Sequence, residues 1–126
     1  MKNESFSLQA RFNSFGYAIK GLKLLFASEH NARIHLLVTV ISIGACVLLK
    51  PSSLELIAVI FCVGLVFITE LINTAIEKIA DFVEPEHNEK IGAIKDLSAA
   101  AVLVAALVSV AVGLIIFLPK LLALAS

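Results

Sequence analysis

Tryptophan is absent from the 126-residue sequence, tyrosine and methionine each occur once, and only 16% of residues are charged. Without tryptophan there is no tryptophan belt at a membrane–water boundary. The two cysteines, Cys46 and Cys62, both lie in apolar runs. They read as small hydrophobes, not as a disulfide framework or a metal site. Neither sign of charge is in excess, since ten bases balance ten acids. That excludes the basic footprint of a nucleic-acid binder. No Walker-type loop occurs, and Gly16 and Gly21 do not form a glycine-rich phosphate cradle. Any nucleotide site must be built from scattered helix residues.

What the chain has in quantity is apolar surface. Hydrophobic residues make up 60% of it, and the mean hydropathy is +0.99. Ordinary soluble domains carry about 25% charge and roughly 45–50% apolar residues. A chain this short has too little interior to hide such a surface from water. The composition therefore predicts an all-α membrane protein, with residues 1–126 forming one integral-membrane domain.

Residues 1–5 are polar and expected to fray. Leu8, Phe12, Phe15, Ile19, Leu22 and Phe26 then recur at steps of four and three, which line one face of a helix over about 6–28. Arg11, Lys20 and Lys23 lie beside or away from that stripe. A basic amphipathic helix of this kind lies flat at the membrane surface. Polar residues interrupt it throughout, so it does not read as a signal peptide. Three spans are expected after it, at about 31–49, 54–83 and 96–118. Lys50 to Ser53 make a tight hairpin turn between the first two. The second, roughly 45 Å long as a helix, should project beyond the membrane. Glu84 to Lys90 reads as a polar loop. The stretch from Leu97 to Leu118 has no charge, and Pro119-Lys120 are expected to end the third span.

Lysine and arginine set the orientation. Lys2, Arg11, Lys20, Lys23 and Arg33 precede the first span, and Lys78, Lys90 and Lys95 flank the second loop. The opposite side has only Lys50 and Lys120. The N-terminus and the 84–96 loop are expected to be cytoplasmic.

Chemistry concentrates in the second span. Glu70, Asn73, Glu77 and Asp81 are spaced three, four and four, which confines them to an arc of about 80° on one helix face. Three acids on one face repel one another unless a cation or a partner sits against them. Three thin helices are not expected to surround that face on their own, which predicts an oligomer. Counting from Leu54, Glu70 falls near the cytoplasmic edge of the apolar layer, with Glu77 and Asp81 in the interface beyond. Partial desolvation suits Glu70 to act as a general base. Glu77 and Asp81, better hydrated, suit Mg²⁺ or a nucleotide, since Mg²⁺ takes one or two carboxylates plus phosphate oxygens and water. Glu29 offers a second carboxylate from another helix. Lys95 beside Asp96 can neutralise phosphate charge, although Lys95 also fits a positive-inside anchor and Asp96 a helix cap. Asp81 and Glu84 also fit a solvated face. An ionisable group inside a span marks a functional site by default, which singles out Glu70. His30, His35 and His87 lack metal-ligand spacing and read as interfacial.

These residues resemble the prokaryotic diacylglycerol kinase family of small membrane lipid kinases. The resemblance runs from about Gly16 to Leu118. It is carried by Glu70-Leu-Ile-Asn73-Thr-Ala-Ile-Glu77 with Asp81, and by Lys95-Asp96-Leu-Ser-Ala-Ala-Ala-Val102. Gly16-Tyr17, Lys20-Gly21-Leu22 and Glu29 agree upstream. The resemblance implies a homotrimer in the bacterial inner membrane, with sites shared between subunits. It implies ATP as co-substrate, Glu70 as base toward a lipid hydroxyl, and Glu29 and Glu77 as Mg²⁺ ligands. Tyr17, Glu29, Asn73, Glu77, Asp81, Glu86, His87, Asn88, Lys95 and Asp96 match the nucleotide side; Glu70, Lys20 and Ala99 match the lipid side. Two departures stand out. Arg11 is displaced by one position from a family arginine, and a tryptophan of some members is missing from the third span. The run from Glu29 to His35 resembles the undecaprenol-kinase branch.

Two functions of different class follow. One is an ATP-dependent lipid kinase acting on undecaprenol, with diacylglycerol close behind. The other is a non-enzymatic membrane subunit in which Glu70 and Glu77 relay protons or cations. A pathway needs polar groups through the membrane depth, whereas here they crowd on one side.

Overall fold

A computed structural model of the protein describes residues 5–126. Residues 1–4, among them Lys2 of the orientation count and most of the N-terminal stretch expected to fray, lie outside the described residues. Four helices follow in order: α1 (Leu8–Ser28), α2 (His30–Leu49), α3 (Ser53–Val83) and α4 (Glu89–Ala125). The last three are long and apolar enough to cross a membrane. This is the expected order of one surface helix and three spans.

Local chemistry sets the boundaries. Ser7 caps α1, its hydroxyl accepting from the Ala10 N–H at 3.3 Å. Glu29 is extended (φ −111°, ψ 113°) and separates α1 from α2. The Arg33 guanidinium reaches back from α2 and donates to the carbonyls of Phe26 and Ala27 at 2.7 and 2.8 Å. It thereby satisfies acceptors that the end of α1 leaves open. Lys50 ends α2 in the left-handed region (φ 48°), and Pro51 behind it cannot continue the helix. Ser52 and Glu55 form a reciprocal capping box that starts α3, with bonds of 2.9 and 3.2 Å.

The helix that carries the third span extends beyond the expected 96–118 at both ends. Asn88 caps α4 through bonds from Lys90 N and Ile91 N, so helix begins at Glu89 and the polar loop shrinks to residues 84–88. Asp96 is therefore two turns inside a helix and is not its cap. Pro119 does not end α4, which runs through it to Ala125. A proline inside a helix forfeits one backbone bond, and membrane helices tolerate that where surrounding groups compensate.

α3 and α4 form the main helix pair, packed antiparallel. Lys95 meets Asp81 and Ser98 meets Asn73 at one end; Ser109 reaches the Cys62 carbonyl midway; Lys120 meets Glu55 at 3.2 Å at the other. The buried hydrophobic residues are few and mostly small: Ala32, Ala80, Ala105, Leu25, Val66 and Ile116. Small side chains let helix backbones approach closely in a membrane. Large apolar residues such as Leu48, Leu54, Phe61 and Ile115 face outward, as lipid-facing positions do. On α1 the stripe from Leu8 through Leu22 also faces away from the rest of the chain. Its last member, Phe26, instead turns inward and meets Phe67 of α3 edge-on, ring centroids 5.8 Å apart.

Candidate active site

The polar face of α3 enters the packed interior at the end of the molecule where α1 and α2 meet. Glu70 is buried there, with only 2% of its side chain exposed. The expectation that one chain cannot surround this face fails at Glu70, which is enclosed by the packing of this chain alone, with His35 of α2 against it. Further along the helix the face opens. Asn73 and Thr74 are buried, Glu77 is half-buried and Asp81 is exposed.

His35 of α2 places its Nε2 3.2 Å from Glu70 Oε1. No aligned hydrogen bond joins them, and Oε1 is buried without a hydrogen-bond partner, as is the Thr74 hydroxyl. His35 thus turns toward the carboxylate, a contact that its reading as an interfacial histidine did not include. Nothing in the spacing along α2 signals this, because the contact exists only through the register of two helices. Ser98 is a further residue that motif reading passed over as a site member. It donates to Asn73 Oδ1 at 2.7 Å. Its signal was present in the sequence: a hydroxyl in an otherwise apolar span.

Glu29 sits half-buried between α1 and α2, and its side chain makes no cap bond to the helix it precedes. Glu29 and Glu77 both lie near enough to act electrostatically on Glu70. Among the described residues no group of three or more His, Cys, Asp or Glu is arranged to hold a metal ion by itself. A carboxylate pair fits Mg²⁺ that shares its coordination with phosphate and water.

The remaining candidates divide. Lys95 pairs with Asp81, joining α4 to α3 beyond Glu77. Tyr17 and Lys20 lie on the exposed side of α1, the Lys20 Nζ 5.7 Å over the Tyr17 ring. No hydrogen bond or ion pair among the described residues connects them to Glu70, Asn73 or Glu77. Glu86, His87 and Asn88 are exposed in the 84–88 loop, where Asn88 is occupied as the α4 cap. Asp96 and Ala99 are exposed on α4.

The sequence pattern of the family described as Prokaryotic diacylglycerol kinase matches residues 16–117. An undecaprenol kinase of Bacillus subtilis (strain 168) is 34% identical over 120 residues, covering 95% of this chain and 98% of the relative. A diacylglycerol kinase of Synechocystis sp. (strain ATCC 27184 / PCC 6803 / Kazusa) is 39% identical over 112 residues, covering 88% of this chain and 64% of the relative. A diacylglycerol kinase of Escherichia coli (strain K12) is 30% identical over 110 residues, covering 87% and 90%.

Proposed function

This chain belongs to the prokaryotic diacylglycerol kinase family and is a lipid kinase, and from that premise we propose that it transfers the γ-phosphoryl group of ATP to a membrane lipid alcohol, undecaprenol in preference to diacylglycerol. The observation that carries the mechanism is the burial of Glu70 beside the half-buried Glu77 and Glu29. The acceptor hydroxyl of a lipid lies at headgroup level, and ATP arrives from the cytoplasm. The chemistry needs a base at the hydrocarbon edge and anion-handling groups just outside it, which is the order of residues along α3.

Glu70 takes the proton of the lipid hydroxyl as that oxygen bonds to the γ-phosphorus and ADP leaves. Glu29 and Glu77 would hold Mg²⁺ together with phosphate oxygens and water, and the ion would offset phosphate charge during transfer. Asn73, Asp81, Lys95, Asp96, Tyr17 and the loop residues Glu86, His87 and Asn88 form the nucleotide side. Lys20 and Ala99 join Glu70 on the lipid side. Those groups point in different directions within one chain, which supports a homotrimer whose sites are completed by neighbouring subunits. The cationic residues before α2 and around the 84–88 loop support an N-terminus on the cytoplasmic side of the bacterial inner membrane.

The substrate preference rests on two supports. The Bacillus subtilis relative, named undecaprenol kinase, is matched along 98% of its length. The outward stripe of α1 (Phe12, Phe15, Ile19, Leu22) supplies an apolar wall, which suits a tail without ester carbonyls. Apolar shape alone discriminates by only about 1–3 kcal/mol, so modest selectivity is expected. The deciding measurement is kcat/KM for both lipids in the same mixed micelles. Higher kcat/KM for diacylglycerol overturns the substrate assignment. ATP consumption that neither alcohol stimulates overturns the phosphoryl-transfer mechanism. A proton or cation pathway is not favoured, because the buried polar side chains Glu70, Asn73, Thr74 and Ser98 cluster at one end.

A further inference from the structure

A base buried as deeply as Glu70 has a second task in every catalytic cycle. Phosphoryl transfer leaves it as a neutral carboxylic acid, and it must lose that proton before the next lipid can react. With 2% of its side chain exposed, Glu70 has almost no direct contact with solvent, whereas the His35 side chain is 23% exposed. His35 Nε2 lies 3.2 Å from Glu70 Oε1, the oxygen that has no hydrogen-bond partner. A proton on Oε1 therefore has an acceptor within hydrogen-bond reach, and that acceptor is the more exposed of the two side chains.

We propose that His35 is the outlet for the proton that Glu70 gains in each turnover; this rests on Glu70 being the base. The lipid oxygen bonds to the γ-phosphorus, the bond from that phosphorus to the departing ADP oxygen breaks, and the hydroxyl proton moves to Glu70. The proton next passes from Glu70 Oε1 to His35 Nε2, which regenerates the carboxylate and leaves an imidazolium. The imidazolium releases it to water. No co-reactant other than water is required. The charged groups around the pair are Glu29 from the α1–α2 junction and Glu77 from α3. From α4 the groove that begins beside His35 is lined by uncharged residues such as Ala106 and Ser109.

The test is rapid-quench measurement of phosphorylated lipid in wild type, His35→Ala, His35→Gln and Glu70→Gln, with undecaprenol or diacylglycerol in mixed micelles. In both His35 variants the first turnover should proceed at the wild-type rate and give a burst of about one product per Glu70 site. The later steady rate should fall about tenfold or more, and added imidazole should raise it. Burst amplitude counts folded, loaded sites, so a misfolded variant is recognised by its small burst. His35→Gln can hold the carboxylate in place but cannot carry a proton. A wild-type steady rate in His35→Gln, or a first turnover slowed as much as the later ones, overturns the outlet. A burst retained in Glu70→Gln overturns the base assignment itself, which is a separate result.

Discussion

Ser98 of α4 and Asn73 of α3 form a buried interhelical hydrogen bond of 2.7 Å, with the serine hydroxyl donating to Oδ1. With one lone pair of its oxygen engaged, Asn73 keeps its amide N–H₂ free to offer a ligand, a donor group suited to phosphate or ribose oxygens. The same bond fixes the register of α4 against the carboxylate face. Ser98→Ala should lower unfolding free energy in micelles by about 0.6–2 kcal/mol, the range for hydrogen bonds between membrane helices. It should also raise the KM for MgATP through a freed Asn73, while Ser98→Thr should restore both. An alanine variant with wild-type stability and KM would show that the bond does not position Asn73.

Glu70→Gln and Glu77→Gln should fail in different ways. Removing the base should lower kcat by about 10²- to 10⁴-fold, the usual contribution of general acid–base catalysis, with little change in KM for MgATP. Removing a metal ligand should raise the KM for MgATP and the Mg²⁺ concentration needed for half-maximal rate. Steady-state kinetics across a Mg²⁺ titration separates the two, and matching, near-wild-type behaviour refutes both roles.

Periodicity and composition made the fold legible almost completely, because a helix in lipid must satisfy its backbone internally and leaves few alternatives. The errors fall where a local signal yields to the membrane. Pro119 would end a helix in water, yet α4 continues through it to Ala125. Glu84 to Lys90 looks uniformly polar, but Asn88 is a strong cap, so helix starts at Glu89. The carboxylate face of α3 was readable from spacing, since Glu70, Asn73, Glu77 and Asp81 share one helix. His35 was not, because its meeting with Glu70 depends on how α2 sits against α3. The enclosure of Glu70 was likewise misjudged: helix thickness suggests an open face, and only the packing of the helices shows it closed at that residue.

Subunit mixing tests whether neighbouring copies complete the site. Glu70→Gln and Tyr17→Ala chains, each inactive or nearly so alone, should regain activity when unfolded together and reassembled, if Tyr17 serves a neighbour's nucleotide. Cross-linking should show trimers in the active fraction. Full activity in a strictly monomeric preparation, or no recovery on mixing, refutes shared sites.

Arg33 ties the end of α1 to α2 through two carbonyls, and Glu29 lies within that joint. Arg33→Gln should release α1 and displace Glu29, which predicts faster proteolysis near Ser28 and a higher KM for MgATP. Lys23→Gln, on the same side of the molecule and without such bonds, should do neither. Hydrogen exchange of the α1 amides offers an independent reading, since local opening of a helix speeds exchange. Unchanged exchange in Arg33→Gln would show that the Phe26–Phe67 contact holds α1 without it.

Half of the buried hydrophobic positions are alanines, whereas the exposed large ones are mostly leucines, isoleucines, valines and phenylalanines. Tolerance to mutation should therefore run opposite to that of a water-soluble enzyme. Exchanging Leu48 or Leu54 for valine or phenylalanine changes only which methyl groups meet lipid. Enlarging Ala32, Ala80 or Ala105 by a few carbons wedges two helix backbones apart, and overpacking of that kind costs about 1–3 kcal/mol. Random mutagenesis with an activity screen should accordingly find its least replaceable apolar residues among the smallest ones.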